Sequence, residues 1–140
     1  MDRHVKLIIR GLHMGEQPED SRVETAVPAE YFQKNGSHYL LYQEALEGFE
    51  QPVKSRIKFR PDILELDRQG AVNTQMIFEA GRTHTSHYAV PYGELLLEID
   101  TKKVTLKEHE NLISAEVEYT LTMNGERLSD SKMEILIQGK

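Results

Sequence analysis

Ser114-Ala115-Glu116-Val117-Glu118-Tyr119-Thr120-Leu121-Thr122-Met123-Asn124-Gly125 is the stretch that decides the fold. Ala115, Val117, Tyr119, Leu121 and Met123 alternate with Glu116, Glu118, Thr120 and Thr122. An extended chain points successive side chains to opposite faces, so a period of two gives one buried face and one wet face. Asn124-Gly125 follows at once, and both residue types accept the positive φ that a two-residue hairpin turn demands. The stretch therefore predicts a half-buried strand that turns directly into an antiparallel partner.

The same grammar extends outward in both directions. A second Asn-Gly pair, Asn35-Gly36, separates residues 31–34 from residues 37–44. Further β-type runs cover residues 5–12, 23–27, 53–59, 63–68, 74–79, 83–88 and 133–137, with turn signals at Gln69-Gly70 and Ala80-Gly81. Leu95, Leu97 and Ile99 alternate with acids, and Val104 and Leu106 keep that period. With Thr101-Lys102 as a hairpin tip, Ile99 would face Val104, Leu97 would face Leu106, and Asp100 would face Lys103. His109-Glu110-Asn111 is the next expected turn. The apolar phase changes between Leu128 and Met133, which predicts a bulge near Ser129-Asp130-Ser131. Pro28 lacks an N–H and belongs at a bulge, an edge or a strand end. Residues 11–20 form a loop, and residues 43–49 form a helical turn or loop. The expectation is a single closed antiparallel β-barrel of about eight to ten strands spanning residues 1–140 as one domain. Leu95, Leu97, Ile99, Ala115, Val117, Tyr119, Leu121 and Met123 should point inside.

A chain of 140 residues suffices for such a core; scaling relations bury roughly two-thirds of its unfolded surface. Hydrophobic residues at 39% and charged residues at 29% suit a soluble globular domain. The net charge of -6 argues against nonspecific nucleic-acid binding and against docking on anionic lipid. The absence of cysteine excludes disulfides, thiolate nucleophiles and Cys-based metal sites. The charged N-terminus and its short apolar run, broken by Arg10, fit neither a signal peptide nor a spanning helix, so a cytoplasmic protein is expected.

Arg68 is the first residue with chemical interest. Leu64, Leu66 and Arg68 share one strand face, and Glu65 and Asp67 share the other. The apolar phase carries the guanidinium inward, where an unpaired charge is costly. Two readings follow: an internal salt bridge that plugs one barrel end, with Glu44 as counter-ion on the face of Leu40 and Tyr42, or an anion anchor in a ligand pocket. His84 and His87 are the only close histidines, and an offset of three sends them to opposite strand faces, so no metal site is expected. The remaining histidines are expected at the surface or satisfied. Lys54, Arg56, Lys58 and Arg60 form a basic stripe that Glu65 and Asp67 on the next strand can offset. A phosphate loop, a nucleophile elbow and a zinc-protease motif are all missing, so neither catalysis nor a cofactor is expected.

At Tyr42-Gln43-Glu44, Arg68-Gln69-Gly70, Met76-Ile77-Phe78 and residues 88–93 (Tyr-Ala-Val-Pro-Tyr-Gly), with Thr101 and Tyr119 following, the chain resembles the YwiB-like proteins. These are small bacterial β-barrels of unknown function. The resemblance runs from the first strand to Ile137 and implies a calycin-like, lipocalin-related barrel in the bacterial cytoplasm. It brings no established activity, cofactor or catalytic residue. It does mark Tyr42, Glu44, Arg68, Met76 and Tyr88 as matching positions, and these are the expected lumen residues for ligand binding. Three function classes are weighed: a barrel that holds a small apolar or amphipathic ligand, an interaction module whose lumen is filled by side chains, and an enzyme, which no motif supports. A small molecule is the expected partner; membrane and nucleic acid are not.

Overall fold

A computed structural model describes residues 3–11, 24–44, 52–70, 73–90 and 93–139. Ten strands follow one another without a helix among these residues: β1 (His4–Arg10), β2 (Glu24–Lys34), β3 (Ser37–Glu44), β4 (Val53–Arg60), β5 (Ile63–Gln69), β6 (Thr74–Glu79), β7 (Arg82–Val90), β8 (Gly93–His109), β9 (Leu112–Met123) and β10 (Glu126–Gly139). They form one antiparallel sheet in the order β6-β5-β4-β3-β2-β1-β10-β9-β8-β7. The sheet curls into a nearly closed barrel. Its two end strands, β6 and β7, follow each other through Ala80-Gly81, yet no ladder joins them among the described residues. Side chains hold that seam instead: Ser86 Oγ donates to the Gln75 carbonyl, and His84 Nε2 lies 2.9 Å from Glu79 Oε1.

Both Asn-Gly pairs turn as their chemistry requires. Asn35 and Gly36 adopt φ of 52° and 78°, and Asn124 and Gly125 adopt 50° and 84°. Positive φ at both central residues gives the turn whose twist matches two antiparallel strands. Residues 12–20 of the expected loop and residues 45–49 of the expected helical turn lie outside the described residues.

The core is the set of inward positions. Val117, Leu121, Leu40, Leu64, Met76, Phe78, Ile99 and Ile137 are each fully enclosed. Leu97, Ile99, Ala115, Val117, Tyr119 and Leu121 point inside as their alternation predicts, whereas Met123 is only partly buried where β9 meets its turn. The side chain of Leu95 lies outside the described residues.

Two irregularities flank β9. The ladder between β9 and β10 shifts register between Arg127 and Ser129, so the bulge sits at Leu128, at the edge of the stretch where the phase change placed it. The Thr101-Lys102 hairpin does not form. β8 runs straight through that point, and both of its halves pair with β9: Leu97 to Thr101 against Met123 to Tyr119, and Lys103 to His109 against Glu118 to Leu112. Lys102 is the extra residue of a bulge. A bulge and a two-residue turn leave the same imprint on the sequence, because each restarts the alternation after an unpaired residue. Thr-Lys lacks the positive-φ chemistry of a tight turn, and β9 is long enough to partner both halves.

Candidate functional site

The ladders of β3 to β6 line up inward side chains in rows across the sheet. One row is Leu40, Ile57, Leu66 and Met76; the next is His38, Phe59, Leu64 and Phe78. On the other side of the Leu40 row the chemistry changes. Tyr42 lies opposite Ser55, Ser55 opposite Arg68, and Arg68 opposite Thr74. All four are buried, with Arg68 only 9% exposed. In the register Arg68 thus stands between two hydroxyl-bearing residues at the border of an apolar lumen.

The two hydroxyls are the informative members. Ser55 Oγ and Thr74 Oγ1 are enclosed and have no hydrogen-bond partner among the described residues. Buried polar atoms are normally satisfied, and leaving one unmet costs about 1–3 kcal/mol. Two such hydroxyls in one row with a buried arginine form a donor set suited to an oxyanion, one O–H on each side of a positively charged residue.

Of the residues expected in the lumen, Tyr42 and Arg68 share this row, and Met76 lies one row deeper beside Leu66. Glu44 sits on β3 opposite Val53, and Tyr88 on β7 opposite Leu95. The side chains of Glu44 and Tyr88, and with them the expected Glu44–Arg68 pair, lie outside the described residues. Alternation with the basic stripe puts Ser55 on the face of Ile57 and Phe59, but sequence reasoning singled out neither Ser55 nor Thr74. Their meeting at Arg68 depends on register across two hairpins.

A cavity on the barrel wall adjoins this row. An open cavity of about 540 Å³ is lined by His4, Pro28, Ala29, Glu30, Leu41, Tyr42, Gln43, Lys54 and Ser55. Its lining mixes outward residues, such as Leu41 and Lys54, with inward Tyr42 and Ser55. It therefore lies on the wall where the β2–β3 ladder stops. Ser55 connects the two features, since it lines this opening and pairs with Arg68.

The opposite end of the lumen is closed by a polar cluster that sequence reading missed. Tyr31 Oη and His38 Nδ1 share a hydrogen bond at 2.7 Å, Gln33 Nε2 donates to Tyr31 Oη at 2.9 Å, and His38 Nε2 reaches Glu108 Oε1 at 2.7 Å. The His38 ring also stacks on Phe59, with centroids 4.7 Å apart. This His38 is satisfied at both nitrogens, as the bland expectation for the histidines had it. β3 and β8 stand five places apart in the ten-strand order, so the His38–Glu108 contact crosses the bore. Burial raises the Tyr31 phenol above its usual pKa; the Gln33 hydrogen bond opposes this, and the Glu108 carboxylate adds to it.

The other singled-out groups lie outside the lumen. In the basic stripe, Arg56 pairs with Asp67 through Nη2 and Nε, Lys58 lies opposite Glu65 and 5.6 Å from the Tyr39 ring centroid, and Arg60 Nε donates to Ser37 Oγ at 2.7 Å. Phe32 stacks on Tyr39 beside the stripe. His84 contacts Glu79 across the seam, whereas His87 Nδ1 meets Glu94 Oε1 at 2.6 Å on the outer face. The described residues hold no helix long and apolar enough to cross a membrane.

Residues 7–135 match the family described as Domain of unknown function (DUF1934). The chain belongs to this family. A solved structure, the crystal structure of ywiB protein from Bacillus subtilis, is similar at 26% identity over 98% of this chain and 89% of that chain, with a TM-score of 0.73. No curated protein matches the chain. The family has no established function, and its calycin-like barrel is the fold seen here.

Proposed function

We propose that this barrel binds a small amphipathic molecule and takes its anionic group between Ser55, Arg68 and Thr74. The observation that carries this reading is the pair of enclosed hydroxyls, without hydrogen-bond partners among the described residues, at the register positions on either side of buried Arg68. Tyr42 supplies an aromatic wall beside this row, and Glu44, Met76 and Tyr88 belong to the same expected set. The protein is a binder rather than an enzyme, with no cofactor or metal, and it acts in the cytoplasm. An interaction module is the second reading. It is favoured by the packing of the mid-lumen, where Leu66, Met76, Val117 and Leu121 leave no exposed side-chain surface.

Native mass spectrometry of the protein purified without denaturation from its own host separates the two. The binding reading predicts an adduct of defined mass on the wild type that is absent from Arg68→Met. Bare wild-type protein, or an adduct retained by the variant, contradicts it.

A further inference from the structure

We infer that Pro28 holds the barrel wall open between β2 and β3, and that the window it keeps is the route by which an amphipathic anion reaches Arg68. This inference rests on the ligand-binding reading above and adds the route and the residue that sets it.

The argument begins at the Asn35-Gly36 turn. A two-residue turn makes its flanking pair, Lys34 and Ser37, a hydrogen-bonded pair. In an antiparallel ladder such pairs alternate with non-hydrogen-bonded ones, so Phe32–Tyr39 and Glu30–Leu41 follow as hydrogen-bonded pairs. The other side of β2 confirms the phase, because the Tyr31 amide donates to the Arg3 carbonyl at 2.7 Å, toward β1. Even-numbered amides of β2 therefore face β3. The next hydrogen-bonded pair in this register would join residue 28 to Gln43, and residue 28 is a proline with no N–H to give. The ladder ends at Glu30–Leu41, one pair short. On its β1 side the same proline pairs without a break, opposite Lys6. The gap is thus confined to the wall between β2 and β3, where the cavity of about 540 Å³ lies.

The lining of the window fits the proposed ligand. Pro28, Ala29 and Leu41 offer apolar contact to a tail, and Leu41 is the one large apolar side chain exposed among the described residues. Lys54 stands at the mouth and Ser55 at the floor, next to Arg68, so positive charge and a hydroxyl lead inward. An extended monoanion with an apolar chain matches this sequence of contacts.

The test is stopped-flow fluorescence with 11-(dansylamino)undecanoic acid as the probe, on wild type, Pro28→Val and Pro28→Ala. Valine and alanine restore the missing donor, and amide hydrogen exchange at residue 28 reports whether the ladder has extended. With the ladder extended, association and dissociation should both slow by about tenfold or more, while Kd moves far less than either rate. Unchanged rates with residue 28 protected would overturn the route and leave the binding reading standing. An amide at residue 28 that exchanges freely in both variants would overturn the role of the proline. Absence of saturable probe binding to the wild type would overturn the inference together with the reading it rests on.

Discussion

Arg68 and the hydroxyls around it carry the functional argument at the scale of single residues. The inward phase of Arg68 was legible in the sequence, because Leu64 and Leu66 define its strand face and the structure keeps that phase. Its immediate surroundings were not, since Ser55 and Thr74 come from neighbouring strands and are set by register. Thr101 is a useful contrast. It is fully enclosed on β8, and its Oγ1 has no hydrogen-bond partner among the described residues, but it lies opposite Tyr119 and Arg82 rather than in the Arg68 row. An isosteric apolar replacement removes an unmet polar group without opening a cavity. Thr101→Val should therefore stabilise the protein by about 1 kcal/mol, measured by chemical denaturation. A loss of stability would show that the hydroxyl is satisfied in solution.

At the scale of elements, bulges account for both the success and the failure of strand reading. The phase change after Leu128 was legible because an apolar position moved from one face to the other. The bulge at Lys102 was misread as a turn because local alternation is the same in both cases, and only pairing with β9 tells them apart. A charged cluster pins the β10 bulge: Asp130 accepts from Arg127 and from Thr120 Oγ1, the latter at 2.6 Å, and Lys102 Nζ approaches it to 3.9 Å from the facing bulge on β8. The Arg127 hydrogen bond first, then that of Thr120, holds the Asp130 carboxyl down to about 2 from the usual 3.8. A depressed carboxylate contributes stability above its unfolded pKa and loses that contribution as the pH falls through its folded one. The contribution of this cluster should be complete above about 3.8 and vanish as the pH drops toward about 2. Asp130→Asn should flatten the stability–pH curve in that window, as followed by thermal melts; an unchanged slope would show that the cluster is dispersed by solvent.

The molecule as a whole is a barrel with unlike ends. One end is closed by Tyr31, His38 and Glu108 reaching across the bore, a contact between strands far apart in the chain that no local pattern discloses. The middle is packed with aliphatic and aromatic side chains. The remaining end carries the Tyr42–Ser55–Arg68–Thr74 row beside an open cavity on the wall. The architecture was legible because each strand wrote its own period and its own turns, while the polarity of the ends arises only after closure. The central claim is that the Arg68 row is a ligand site rather than a structural plug. It is tested most directly by equilibrium titration of 11-(dansylamino)undecanoic acid into the wild type, Arg68→Met and the surface control Lys58→Met, followed by fluorescence. Charge-assisted hydrogen bonds from a guanidinium to an anion are the strong ones, so the account predicts saturable binding to the wild type and to Lys58→Met and an affinity about tenfold or more weaker for Arg68→Met. Equal affinity in all three proteins would contradict it.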